Sequence, residues 1–263
     1  MDLSVNEADT GFVPSMPILV LGGALVGLLY GLFGVGSAFA TPLLALMGVP
    51  GVIAVTAPLP GIMPGSLVGA WGYARRERVD WTTARRAALG GVPGTVIGAE
   101  LTHFVGGPIV LLFSGATLLA VGLRVLLPGG ASPDRAAARR ARPALVAGSA
   151  FAVGAFAGLL ANGGGFLLVP LFLVWFGLDM NRASGTSLVV ATALSAPALL
   201  VHSLAGDVNW TIALIFGLGL VPGAFIGSRV ATHLPVARLR TAFGFSLVLV
   251  ACWFFVHQLL PLI

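Results

Sequence analysis

The 263-residue chain contains no lysine, one cysteine and only 9% charged residues. Each shortage excludes something. A soluble domain of this size carries roughly 25% charged residues, so a surface wetted on all sides is excluded. The lone Cys252 sits inside an apolar run, cannot form an intramolecular disulfide, and reads as packing. Acids number 9 and histidines 4, and no two histidines have a ligand spacing such as HxxxH. A metal centre or a surface phosphotransferase therefore lacks its ligands, and no cofactor is expected. The net charge of +5 is entirely arginine, held in short loops without interleaved aromatics, which is not the footprint of a nucleic-acid binder. The N-terminal MDLSVNEADT is acidic and has no basic n-region, so the first apolar segment is expected to be retained. Missing lysine beside abundant alanine, glycine, arginine and valine fits a GC-rich bacterial genome.

What is present is apolar. Hydrophobic residues make up 57% of the chain and the mean hydropathy is +1.02. Runs of about 17–25 apolar residues, long enough to cross a bilayer, recur from beginning to end. Strands of alternating polarity, the mark of a membrane β-barrel, do not occur. The fold class is all-α: a polytopic helical protein of the cytoplasmic membrane, its long segments in contact with lipid.

The second half repeats the first. GVGSAFATP (34–42) aligns under NGGGFLLVP (162–170), and GGVPGTVIG (90–98) under GLVPGAFIG (219–227). Trp81 and Trp210 keep the same offset of 129 residues as the latter pair. Each half therefore holds a broken apolar stretch (17–48; 144–178) and three further segments. These run 52–73, 86–104 and 108–127, then 186–204, 211–230 and 239–260. The organisation is an extracytoplasmic tail (1–16), a first repeat (17–127), an arginine-rich connector (128–143) and a second repeat (144–263).

Charge sets the orientation. If each broken stretch dips in and returns while every other segment crosses once, all 14 arginines fall on one side. Asp2, Glu7, Asp9 and Asp207 fall on the other. The positive-inside rule makes the arginine side cytoplasmic, both termini external, and the second repeat inverted relative to the first. Inverted repeats with interrupted helices recur among secondary transporters, with the substrate near the midplane at the repeat interface.

The interruptions carry the chemistry. Three adjacent glycines (Gly163, Gly164, Gly165) after Asn162 make no packing stripe, and each weakens a helix by about 1 kcal/mol relative to alanine. Backbone broken inside a membrane is tolerated where it is buried in protein or lines a wet cavity. Half-helices starting near Phe166 and Ala38 would aim unpaired N–H groups and positive dipole ends into such a cavity. Two converging starts make a site for a small anion. Gly90, Gly94 and Gly98, and Gly219, Gly223 and Gly227, spaced one per turn, read instead as close helix packing.

NGGGFLLVP, its degenerate partner GVGSAFATP, and SGTSLVVAT (184–192) resemble the TauE/SafE sulfite exporter family over nearly the whole chain. The resemblance implies a permease for sulfur-containing anions such as sulfite, sulfoacetate or other organosulfonates. In the first half Ser37 and Ala38 replace the glycines, so the two breaks are expected to contribute unequally.

Around the breaks, Thr186 and Ser187 either donate to a substrate oxygen or cap a helix start. Ser37, Thr41, Ser66 and Ser195 are further hydroxyl candidates, which serine and threonine often turn on their own helix. His202 shares a segment with Ser195 and could titrate in a vestibule. Glu100, an acid in a late apolar segment, is a candidate for proton coupling or a solvated residue near the outer face. An intramembrane protease would pair Ser114 or Ser184 with a histidine at matching depth, and the sequence offers none. The sequence thus predicts a secondary exporter of small anions by alternating access. The rival is a cation transporter or channel using the carbonyls of the broken helices. The oligomeric state is left open, a homo-oligomer included.

Overall fold

The computed structural model describes residues 15–49, 51–101, 119–120, 122–126, 143–159 and 165–259. Asn162, Gly163 and Gly164, most of the 108–127 segment, and nearly all of the N-terminal tail and the connector lie outside them. The described residues form helices and no strands. These are α1 (Met16–Phe33), α2 (Ser37–Leu46), α3 (Gly51–Thr56), α4 (Leu59–Ala74) and α5 (Trp81–Leu101) in the first half. The second half holds α6 (Pro143–Leu159), α7 (Gly165–Pro170) with a π-helical turn Leu171–Trp175, α8 (Met180–Ala205), α9 (Trp210–Ala231) and α10 (Val236–Leu259).

Five helices among the described residues are long and apolar enough to cross a membrane, and the chain is a polytopic helical membrane protein. Polar residues set the boundaries. Asp179 accepts from the Arg182 N–H and Asn209 from the Ile212 N–H, so α8 and α9 begin at side-chain caps. The Asp179 cap starts α8 six residues earlier than the apolar run alone suggests. Gly34 and Gly206, both with positive φ, close α1 and α8.

The glycine stripes hold the helices together. Gly219, Gly223 and Gly227 of α9 rest on the carbonyls of Val20, Ala24 and Leu28, and Gly23, Gly27 and Gly31 of α1 rest on those of Phe216, Leu220 and Ala224. Gly90, Gly94 and Gly98 of α5 meet Ala147, Phe151 and Ala155 of α6 in the same way. A single methyl at most of these positions would strike backbone. Lipid is as apolar as leucine, so such close contact, not water exclusion, supplies the helix–helix attraction. The first helix of each half, α1 or α6, is thus clasped by the glycine-striped helix of the other, α9 or α5.

The registers also give directions. Residue numbers rise together along α1 and α9, along α4 and α9, and along α5 and α6. They run oppositely along α4 and α8, where Gly69 meets Leu188 and Thr192 bonds Ser66. Hence α1, α4 and α9 point one way and α5, α6 and α8 the other. Every arginine among the described residues then lies at one end of the bundle, with Asp207 and Trp210 at the opposite end. α2 folds back on α1, bringing Leu43 and Met47 against Gly22, so the first broken stretch is re-entrant.

Candidate functional site

The break in the first half spans Gly34, Val35 and Gly36, all buried. A helix leaves its last four carbonyls without an intrahelical partner, and here each of them has found one. Tyr30 O accepts from the Gly34 N–H at 2.7 Å. Gly31 O and Leu32 O share the single proton of the Tyr73 hydroxyl, at 3.0 and 2.9 Å. Phe33 O accepts from Ser184 at 2.9 Å. Beyond the helix, Gly34 O accepts from Ser187 at 3.2 Å. Gly34 is required twice over: its φ of 74° is left-handed, and a methyl there would lie 2.8 Å from Ser184 O.

The other side of the break is different. α2 begins on Gly36 with no side-chain cap. Phe39 and Ala40 N–H bond Gly36 O, while the N–H groups ahead of them have no acceptor within the helix. Gly36 lies against the Tyr30 ring, where a methyl would collide with it. Val169 of α7 comes within 3.2 Å of the position a methyl would take at Gly34. The returning helix of the second half therefore reaches the break of the first.

Depth is a correction. The break touches Ser184 and Ser187 in the first turns of α8, Tyr73 at the end of α4, and Ser228, through Gly31, near the end of α9. It lies toward the arginine-bearing ends, not halfway along the helices as expected. The reason is length. α1 runs 18 residues before it breaks, about 27 Å at 1.5 Å per residue, which nearly equals the thickness of a bilayer's hydrocarbon core.

The sequence candidates are distributed as follows. Ser187 sits at the break, and Ser37 opens α2 beside it. Thr186 faces elsewhere on α8, accepting from the Asp80 N–H at 3.0 Å. Asp80 in turn caps α5 through the N–H groups of Thr82 and Thr83. Neither Thr186 nor Ser187 caps its own helix, which begins at Met180. Thr41 is buried one turn into α2. Ser66 donates to Met63 O, accepts from Thr192 at 2.9 Å, and neighbours the Tyr30 hydroxyl. Ser195 bonds Ala191 O of its own helix. Gly165 starts α7. Glu100 is exposed at the penultimate position of α5.

His202 lies at the far end, 1% exposed, its Nδ1 3.1 Å from Asp207 Oδ2 and its Nε2 without a partner among the described residues. Thr56 at the end of α3 ties to the same turn by donating to Asp207 O at 2.7 Å. At 100° per residue, Ser184, Ser195 and His202 share one buried face of α8 from end to end. No cluster of three metal-ligating side chains occurs among the described residues.

Sequence reading missed Tyr73, Ser184 as a cap, and Thr192. One signal was available: the chain has only two tyrosines, and both are fully buried at the break.

Comparison with known proteins gives a consistent answer. The family model described as Sulfite exporter TauE/SafE matches residues 19–254. A "Probable membrane transporter protein" of Xylella fastidiosa (strain Temecula1) is 30% identical, across 92% of this chain and 95% of its own length. Two relatives from Bacillus subtilis carry similar names. "Probable membrane transporter protein YjnA" is 27% identical over 89% of this chain and 96% of its own. "Probable membrane transporter protein YunE" is 25% identical over 82% and 86%.

Proposed function

The chain belongs to the sulfite exporter TauE/SafE family and is a multi-pass membrane transporter, and from that premise we propose that its cargo is a small sulfur-containing anion. The class is sulfite, sulfoacetate or another organosulfonate, exported across the cytoplasmic membrane of a bacterium by alternating access. The opposed directions of α1 and α6 support reading the halves as inverted repeats, a plan shared with other secondary transporters.

One observation carries the choice of an anion over a cation. At the first break the carbonyls that would coordinate a cation already accept hydrogen bonds from Tyr73, Ser184, Ser187 and Gly34. The N–H groups opening α2 have no side-chain cap. A buried helix start of that kind attracts negative charge through its dipole and its uncapped N–H groups. In this reading Ser37 and Thr41 surround the anion from the first break, Ser187 occupying the Gly34 carbonyl beside them, and Asn162, Gly163, Gly164 and Gly165 surround it from the second. Ser66, Ser195 and His202 serve the path along α8, while Thr186, on the opposite side of that helix, holds the turn before α5 through the Asp80 N–H. The anion sits nearer the arginine-bearing side than the midplane, at least when held by α2.

With the cell interior negative, each exported negative charge gains about 2.3 kcal/mol per 100 mV, roughly a 50-fold concentration ratio. Export then needs no coupling ion, and Glu100 is the residue to test if one is used. The experiment is flux of sulfite and sulfonates from proteoliposomes under imposed, inverted and zero potential, with sulfate, thiosulfate and sodium as comparators. Potential-dependent flux of a sulfur anion is expected. Flux of sodium alone would overturn the reading in favour of a cation.

A further inference from the structure

The anion path proposed above leaves out the surface where α4 and α9 meet at their arginine-bearing ends. There Trp71 stacks on Phe225, ring centroids 6.1 Å apart and planes 17° from parallel. The Arg75 guanidinium lies 4.8 Å from the centre of the Trp71 ring, and that of Arg229 lies 4.1 Å from the centre of the Phe225 ring. One helical turn separates ring from cation on both helices, so the same device is built twice, side by side. Gly72, packed on the Ser228 side chain, lets the two helices touch at this level.

A cation–π contact fixes a guanidinium in place while leaving its N–H edges available to an acceptor. Arg75 and Arg229 are exposed. Among the described residues neither is ion-paired, the one pair there being His202–Asp207. Arg76 is committed to Thr232 and His233. Glu77, also exposed, follows in the turn beyond. Toward the middle of the bundle the wall is apolar and open: Trp71 is 48% exposed, Leu67 60% and Ile226 53%.

We propose that this seam is a binding site for an anionic phospholipid. Its phosphate bridges Arg75 and Arg229, and its acyl chains lie along Trp71, Leu67 and Ile226. Charge complementarity selects the headgroup, because a zwitterionic lipid brings an amine toward two fixed cations. The apolar wall selects a lipid over a soluble phosphate or an acidic peptide, neither of which would cover it. Basic residues flanking membrane helices attract anionic lipid in just this setting. The proposal rests on membrane embedding alone and is independent of the cargo.

The test uses the full chain in phosphatidylcholine nanodiscs titrated with phosphatidylglycerol, retained lipid being counted by native mass spectrometry. The protein is expected to retain phosphatidylglycerol in preference to phosphatidylcholine. Arg75→Gln with Arg229→Gln should weaken that retention roughly 25-fold, about fivefold for each arginine. Arg238→Gln, at an exposed arginine opening α10, should leave it within about twofold. Trp71→Leu, which keeps both charges but removes one ring, should weaken it severalfold. Unchanged retention in the double variant would overturn the site. So would an equal loss in Arg238→Gln, which would mean diffuse charge, or full displacement by glycerol phosphate, which would mean a soluble ligand.

Discussion

Ser184 of α8 donates its hydroxyl to the carbonyl of Phe33, the last residue of α1, at 2.9 Å across 151 residues of sequence. The bond joins the two halves at the point where the first one breaks. With Tyr73 and Ser187 it converts an exposed helix end into a closed account of hydrogen bonds.

Removing those donors should loosen the break without emptying the core. Ser184→Ala and Ser187→Ala each leave a buried carbonyl short of a partner, which costs about 1 kcal/mol per bond. Thermal unfolding in detergent should show the double variant melting below either single one. Anion flux should fall by more than the fraction unfolded. Full flux and an unchanged melting point would mean that the hydroxyls are incidental.

Gly34→Ala should be more severe. An alanine held at a left-handed φ loses roughly 1–2 kcal/mol, and its methyl would press on Ser184 O. Folded protein with flux near zero is expected, measured in the same proteoliposomes.

The packing glycines can be tested against an internal control. A methyl at Gly94 would strike the Phe151 carbonyl, whereas Gly148 has no neighbour within 4 Å of that position. Gly94→Ala should lower stability by about 1–3 kcal/mol through overpacking. Gly148→Ala should be neutral or stabilising by up to about 1 kcal/mol, since alanine favours the helix. Equal melting points for the two variants would remove the basis for the α5–α6 contact.

Glu100 separates two energy sources. Export driven by an imposed potential should survive Glu100→Gln, because the carboxylate is exposed near the end of α5. A flux that responds to a proton gradient in the parent protein and not in this variant would instead assign coupling to Glu100.

His202 has one nitrogen engaged with Asp207 and the other, in a buried position, without a partner among the described residues. His202→Ala should raise KM for the anion severalfold on the side opposite the arginines. An unchanged KM with a lower melting point would leave it the role of holding the Asp207 turn.

Sequence alone determined the solvent, the repeat and the family, for physical reasons. Low charge and long apolar runs admit only lipid as surroundings, and the closed hydrogen bonding lipid demands admits only helices here. The offset of 129 residues between GGVPGTVIG and GLVPGAFIG survives because close-packed backbones accept only glycine there. The expectation that these stripes pack helices agrees with the contacts of α5 with α6 and of α1 with α9. The arginines among the described residues gather at one end of the bundle because loops at membrane ends are where charge can be hydrated.

Tertiary structure alone decided which helices those stripes join, the depth of the break and the hydrogen-bond partners of the hydroxyls. Gly223 carries no sign that its partner is Ala24, since any small, close-approaching backbone would suit it. Ser187 as ligand or as cap was undecidable along the chain. Its partner, Gly34 O, lies 153 residues away and is brought there by helices packed through other residues. The same holds for Tyr73, whose two carbonyl acceptors belong to a helix end that only the fold places beneath it.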